Sequence, residues 1–595
     1  GKVDHIIKGS YIKAGNNLVI TAMLIDAHSG ETITSLSLNA EGERDIFSKV
    51  DQITREIKVH LNITPNQLAG DIDKEIGTIS TTSSEALTHY MEGRHHHYEG
   101  NFRESIRSME RALSFDPDFA MAYRSMTWSY YHMGLVSEQM QSLRKAMELS
   151  ENLPVLERYV IEADYYRFNR KPNETHDRAL ESIERALQLY PENTMANGKL
   201  IELCADVENW DRAIERFAFM KERKMSSHFD YHYISTFYCA NGMAETAIEN
   251  LYYYIENIED SFVIRWTLAL VYAIPHKLDL ALSEIDRACS QAPHMHWIFS
   301  AKAVIHLFRG EFSEVEQICR WLLDQEDINA QVEGRKIIGL LYLLQARLAD
   351  AEIHLKEGKA AAEKLGVKWD QSRFASLLGY IYFITGKYDE ALGEFNDELE
   401  IYRVFGWSER KIRARFLKAL TLLEQNSLEG LQEAEADLLE WVENDLNKKF
   451  KRYYFNYLGR KEFSINQTSD AIYHFDQALA LLPYERPPWE RVDDIPQALF
   501  IDPLARAHLE TGDLEKAQAE YEKISNMTWG RLFYGDLYAR TFYHLGKIYQ
   551  QRGWEGKAIE SYNQFIDLWK NCDPLFQPMV EDARERVKDL GSTGR

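Results

Sequence analysis

The sequence predicts a mainly α protein: an α-solenoid of helical hairpins preceded by a small amino-terminal α+β domain. Three observations predict it. With 595 residues the chain is too long for one ordinary core and must be several domains or a repeat. A spaced pattern of glycine, alanine and aromatic residues recurs from "ALTHYMEGRHHHYEGNF" to "RTFYHLGKIYQQRGWEGKAIESY". Residues 1–62 lack that pattern and alternate in hydrophobicity as strands do.

In order along the chain, "VDHIIKGSYIKAG", "NLVITAMLIDA" and "TITSLSLNA" read as three strands, with turns at "AGNN" and "HSGE". The middle strand is apolar at Leu18, Ile20, Ala22 and Leu24 and again at Val19, Met23 and Ile25, so both its faces are expected to be covered. A helix from about Arg44 carries Ile46, Phe47, Val50, Ile53, Ile57 and Leu61 on one stripe. An exposed sheet edge or poorly covered face is expected along Val3–Ile12. Residues 63–84 form a polar linker, with Ser83 or Ser84 capping the helix that follows.

Residues 85–575 hold the repeat. Aligning "ALTHYMEGRHHHYEGNFRESIRSMERALSFDP" with "SRFASLLGYIYFITGKYDEALGEFNDELEIY" matches Gly93 with Gly379, Gly100 with Gly386, Ser105 with Ala391 and Met109 with Phe395. Gly459 and Gly546 take the first of these positions elsewhere, where two helices cross too closely for a side chain. Gly100, Gly134, Gly242, Gly310, Gly386, Gly512 and Gly553 mark turns that need a positive φ. Ala213, Ala247, Ala281, Ala391, Ala471, Ala517 and Ala558 let the second helix dock, and Pro117, Pro191, Pro293 and Pro483 stop it. About thirteen units start near residues 86, 120, 160, 194, 228, 262, 296, 332, 372, 410, 452, 499 and 539. Residues 576–595 supply a polar capping helix and tail.

This skeleton resembles the tetratricopeptide repeat, a pair of antiparallel helices in a unit of about 34 residues. The resemblance implies a right-handed superhelix whose first helices line a concave surface. The amino-terminal pattern "IIKGSYIKAGNNLVITAMLIDAHSGETI…DIFSKVDQITREI" resembles the second half of the TolB-like/FlgO-type domain. Relative to that family the domain is expected to be truncated. The order of parts is similar to bacterial signalling proteins in which such a domain and array follow a serine/threonine kinase, an adenylate cyclase or a winged-helix domain.

Composition bounds the function. The balance of 69 basic and 93 acidic side chains, net charge −24, disfavours nucleic acid or an anionic membrane as the main partner. No apolar run is long enough to span a bilayer. Cys204, Cys239, Cys289, Cys319 and Cys572 stand singly, without a CxxC pair, which sits better with a reducing, cytoplasmic compartment than with a periplasmic one. No phosphate-binding loop, kinase landmark, G-x-S-x-G elbow or HExxH helix is present, so the chain reads as non-enzymatic and without a cofactor or metal. His95, His96 and His97 lie on one helix, where successive side chains diverge by about 100° and cannot converge on a metal. His228 and His232 stand at i and i+4 but lack a third ligand in view.

Binding is therefore expected in the concave groove. The inward positions of the family map there onto Tyr90, Arg94 and His97 in the first unit and Arg124, Trp128 and Tyr131 in the second. They map onto Trp266, Trp297 and Phe308 in the middle, Arg373, Tyr380 and Phe383 in the ninth unit, and Arg540 and Tyr543 in the last. Aromatic and arginine side chains dominate interface hot spots, so a protein or peptide ligand is expected. Two alternatives remain: the regulatory region of a kinase or cyclase whose catalytic domain lies upstream, and a sensor closing on an apolar small molecule around Trp266, Trp297 and Tyr380.

Overall fold

The structure is a computed structural model and describes residues 4–14, 17–41, 46–61, 81, 83–98, 101–169, 174–403, 408–426, 428–487 and 496–593. Most of the polar linker and the turns at Gly15–Asn16 and Gly100 lie outside the described residues. The chain forms two compact units: Gly1–Leu200 with Glu222–Lys224, and Ile201–Lys221 with Met225–Arg595.

The first unit opens with an antiparallel sheet of β1 (His5–Ala14), β2 (Asn17–Asp26) and β3 (Thr32–Glu41) in that order. The helix α1 (Ile46–His60) lays Ile53 and Ile57 on Ala22 and Leu24 of β2, with Ile20, Leu36 and Leu38 around them. Only this face of β2 is covered. Val19, Met23 and Ile25 on the other face are half-buried, which corrects the expectation of a strand enclosed on both sides: among the described residues one helix serves one face. The edge strand β1 exposes Ile6, Ile7, Tyr11 and Ile12, apolar side chains on both of its faces.

Of the 28 α-helices among the described residues, one packs on the sheet, one closes the chain, and the other twenty-six form thirteen consecutive pairs. Hairpins one to three belong to the first unit: Ser84–Tyr98 with Phe102–Phe115, Ala120–His132 with Val136–Glu148, and Val155–Phe168 with Glu174–Leu189. The fourth pair is Thr194–Asp206 and Trp210–Glu222. Hairpins five to eight are His228–Ala240 with Ala244–Asn257, Phe262–Ala273 with Leu278–Gln291, His296–Arg309 with Phe312–Leu323, and Ile328–Leu344 with Leu348–Leu365. Hairpins nine to thirteen are Lys368–Ile384 with Tyr388–Arg403, Ser408–Glu424 with Leu428–Asn444, Lys451–Ser464 with Thr468–Ala480, Gln497–Glu510 with Leu514–Ser525, and Gly535–Gln551 with Glu555–Trp569. The terminal helix is Gln577–Thr593. This is a mainly α solenoid of helical hairpins with a small sheet at its amino-terminal end.

Local chemistry accounts for each hairpin. Ser83 caps the first by accepting the Ala86 N–H at 3.1 Å. At the crossing of hairpin nine, a Cβ on Gly379 would sit 2.5 Å from the Phe395 ring, and the same closeness holds at Gly93, Gly459 and Gly546. The seven docking alanines are all fully buried. Gly134, Gly242, Gly310, Gly386, Gly512 and Gly553 hold the turns at positive φ. In other hairpins Glu208, His276, Ala346, Asn426 and Asn466 adopt that left-handed conformation without being glycine, at a cost of about 1–3 kcal/mol each unless the surroundings hold them.

From hairpin five onward successive first helices touch one another, as His228–Ala240 does Phe262–Ala273, whereas successive second helices have no comparable packing. In the second unit these first helices therefore form the inner side of the curve.

In the second unit this inner side is filled by the unit's own carboxy-terminal part. Arg452, fully buried in hairpin eleven, donates to both Glu208 carboxylate oxygens at 3.0 and 2.8 Å, and Asn447 donates to one of them at 3.0 Å. Burial raises the Glu208 carboxyl, but the Arg452 guanidinium overcomes that and holds it below the ordinary carboxylate range. The Tyr484 N–H donates to the Ala240 carbonyl at 3.0 Å. The Trp529 indole donates to the Leu270 carbonyl at 3.0 Å and meets Phe308 edge-on at 5.0 Å. The Trp569 indole donates to the Leu344 carbonyl at 3.1 Å, and Asp573 bridges to the backbone of Ala346 and Ala349. Gly535 brings two backbones together, for a Cβ there would lie 2.8 Å from the Leu344 Cα.

The crossing glycines give a direct test. Gly379→Ala forces a methyl against Phe395 and is expected to destabilise by about 1–3 kcal/mol. Gly393→Ala, on an exposed helix face with nothing within 4 Å, is expected to raise the unfolding midpoint through helix propensity, by up to about 1 kcal/mol. Denaturant unfolding of both variants, followed by far-UV circular dichroism, checks the opposite signs.

Candidate functional site

Hairpins one to three bring six of the sequence-derived groove residues together. Tyr90 is buried against Phe119 at 4.9 Å between ring centroids, with the Arg94 guanidinium 5.9 Å above its ring. His97 bonds the Ser129 hydroxyl through Nδ1 at 2.9 Å and lies against Phe102 and His132. Trp128 packs on Tyr131 and Phe168, and Tyr131 is itself buried. The first helices of hairpins one and two thus carry an aromatic wall on which Arg94, His97 and Trp128 are largely but not fully buried.

At its centre stands Asp164, a residue absent from the sequence expectation. It is fully buried, accepts from Arg124 Nε at 2.9 Å and from the Trp128 indole at 3.2 Å, and ion-pairs with Lys199 Nζ at 2.9 Å. Lys199 also sits 4.0 Å from the Trp128 ring centroid, a cation–π contact. Burial pushes the Asp164 carboxyl up, but Lys199 and Arg124 outweigh it and keep the acid ionised below its usual range. One carboxylate thus faces two full cations. The mapping that chose Tyr90 and Arg124, the fifth position of a unit, falls on Asp164 when applied to the third unit, so the signal was present in "VIEADYY". An acid at an inward position of an otherwise aromatic face is the mark of an internal ion pair.

The remaining groove residues lie in the second unit, and several serve its internal packing. Phe308 is buried under Trp529, with the Arg531 guanidinium 5.4 Å from its ring. Tyr380 is 3% exposed, donates to Asp536 Oδ1 at 3.0 Å and packs on Tyr534, while Phe383 flanks it. Arg373 covers Phe533. Arg540 pairs with Asp536, and Tyr543 donates to Asp582 of the terminal helix at 2.6 Å. Trp266 packs between His232 and Trp297, and Trp297 remains 36% exposed. Tyr90, Tyr131, Phe308 and Tyr380 are therefore core residues where the sequence suggested groove contacts. The aromatic character that marks a binding face equally marks a face that its own chain covers.

The histidines singled out by sequence have ordinary surroundings. His95 is exposed, His96 half-buried, and the five cysteines are all buried. His232 bonds Thr267 through Nδ1 at 2.8 Å. Among the described residues no group of three or more histidine, cysteine or acidic side chains is placed to hold a metal ion, and no helix is long and apolar enough to cross a membrane.

Burial lowers His97 to a pKa of about 3, with His132, Arg94 and Arg124 adding to the effect, and burial lowers His232 to about 3, with His228 adding. Both rings stay neutral in the folded protein, whereas an unfolded histidine titrates near about 6.5. The unfolded chain therefore binds more protons between those values, and stability falls as pH drops through that window. The unfolding midpoint is expected to decrease from about pH 7.5 to about pH 5.5, above most carboxylate titration. His97→Gln and His232→Gln are each expected to flatten that decrease; thermal melts across the range measure it, and an unchanged slope contradicts the assignment.

Residues 539–571, which take in most of hairpin thirteen, match the tetratricopeptide repeat. Solved structures with similar stretches include the crystal structure of the APC/C hetero-tetramer Cut9-Hcn1, 14% identical, covering 84% of this chain and 96% of that one, with a TM-score of 0.31. The human IFIT1 dimer with m7Gppp-AAAA is also 14% identical, covering 83% of this chain and 92% of that one, with a TM-score of 0.30. No curated protein matches the chain in sequence.

Proposed function

We propose that this chain is a non-enzymatic protein-interaction scaffold that captures a peptide or protein segment along the first helices of hairpins one to three. The observation that carries the reading is the partly exposed set Arg94, His97 and Trp128, of which Trp128 is held by the buried Asp164 carboxylate, His97 by the Ser129 hydroxyl, and Arg94 lies over the Tyr90 ring. Arginine and tryptophan held on rigid elements lose little conformational freedom on binding, which suits them to anchor a partner. The tetratricopeptide match at residues 539–571 supports a scaffold rather than a catalyst. The resemblance of residues 1–62 to the TolB-like/FlgO-type domain extends the reading to a signalling protein. There the exposed apolar edge of β1 offers a strand for pairing.

The test separates inner from outer faces. Arg94→Glu is expected to reduce recovery of the bound partner about tenfold, the effect of losing roughly 1.4 kcal/mol. Tyr473→Ala, 60% exposed on a second helix, is expected to leave recovery unchanged. Quantitative pull-down with both variants decides. Loss in the second or retention in the first contradicts the reading.

A further inference from the structure

The edge strand β1 has β2 on one side and, among the described residues, no strand on the other. One row of its backbone N–H and C=O groups is thus left for a further strand to pair with. On it Ile6, Ile7, Tyr11 and Ile12 are 46%, 59%, 73% and 69% exposed. The opposite edge, β3, exposes only Ile33 among its large apolar side chains. The two edges of the sheet therefore differ in kind.

The sequence of β1 is symmetric about its middle. Outward from Gly9 come Lys8 and Ser10, then Ile7 and Tyr11, then Ile6 and Ile12, then His5 and Lys13. Polar residues flank the centre, and two large apolar residues follow on each side. An antiparallel pair of such strands, related by a two-fold axis at Gly9, sets Ile7 against Tyr11 of the second copy and Ile6 against its Ile12. Directly opposed residues share a face of the sheet. Ile7 and Tyr11 stand beside Leu24 and Ile20, on the side that α1 covers, while Ile6 and Ile12 stand beside Ile25 and Val19 on the other. Both apolar faces continue across the seam.

Charge selects this register. A slip by one residue would send matching side chains to opposite faces, so the neighbouring symmetric registers have their axis at Lys8 or at Ser10. The first sets Lys8 directly against Lys8 of the second copy, a destabilising like-charge pair. The second sets Lys8 against Ile12 and Ile7 against Lys13. With the axis at Gly9, Lys8 meets Ser10, and the two Lys8 side chains approach only diagonally, at about 7–8 Å.

We propose that a second copy of this chain pairs antiparallel along β1 with the axis at Gly9, joining two three-stranded sheets into one of six strands. Two-fold dimers are the commonest closed assemblies, and their interfaces are self-complementary, as the symmetry of β1 provides. Ten paired residues run for about 34 Å. With four large apolar side chains from each copy at the seam, the buried surface reaches about 1,200 Å² in total, the small end of stable interfaces. The dimer is therefore concentration-dependent. The proposal rests on the reading of β1 as a pairing edge and not on the peptide face of hairpins one to three.

Sedimentation velocity over a concentration series of the whole chain tests it, and cysteine cross-linking reads the register. The wild-type mass is expected to rise from 69.4 kDa toward twice that value. Tyr11→Lys changes a side chain that is 73% exposed, so it should fold normally while its dissociation constant rises about tenfold. Gly9→Cys places a thiol at the axis, where its Cβ meets nothing closer than the Thr21 carbonyl oxygen at 4.0 Å. The native cysteines are all buried. Mild oxidation is expected to link Gly9→Cys chains into dimers, because opposed strand residues lie within disulfide reach. Tyr11→Cys, four residues out of register, should stay largely unlinked. A wild type that remains at 69.4 kDa throughout overturns the proposal, whether or not a strand of another protein takes the edge. So does association of Tyr11→Lys equal to wild type, or equal linking of the two cysteine variants. Recovery of the partner of hairpins one to three reports separately on that face.

Discussion

The second unit depends on one constraint: its late hairpins must occupy the inner side of its early ones. Trp529 and Leu270, 259 residues apart, and Arg452 and Glu208, 244 apart, are joined by hydrogen bonds within this unit. A solenoid whose repeats touch only their neighbours distributes stability as a sum of local terms. Here the inner surface is shared between distant repeats, so removing the last hairpins would strip cover from Leu270, Phe308 and Leu344. Stability in this unit is correspondingly non-local.

That closure also explains turns that look unfavourable in isolation. Glu208, His276 and Ala346 adopt left-handed backbone without being glycine. Each is also where the chain is gripped from afar: Glu208 by Arg452, His276 through its Nε2 donating to the Asn526 carbonyl at 2.7 Å, and Ala346 through the Asp573 N–H at 2.9 Å. Tertiary contacts over-determine the conformation and offset its cost. The first unit works on a smaller scale, with Asp164 drawing Arg124, Trp128 and Lys199 together. Partly buried arginine and tryptophan side chains are thereby held rigid, which is what a binding face requires.

Much of the fold was legible because its determinants are local. A glycine at Gly379 pairs with an aromatic at Phe395 a fixed number of residues later, and an alanine such as Ala558 marks the docking position within the same hairpin. The strands and α1 followed from periodicity in the same way. The closure was not legible. Trp529 and Phe308 carry no shared pattern, and other residues of the closure, such as Tyr484, which bonds Ala240, lie in segments outside the repeat. For that reason Tyr380 and Phe308 read as groove aromatics although their own chain covers them. Asp164 was within reach of the positional rule.

Native-state hydrogen exchange on a Trp529→Ala variant tests the closure most directly. The account predicts faster amide exchange in Phe262–Ala273 and His296–Arg309, the helices that Trp529 touches across the inner space, as well as in hairpins twelve and thirteen. Acceleration confined to hairpins twelve and thirteen would contradict it, and would return the second unit to a chain of repeats that communicate only with their neighbours.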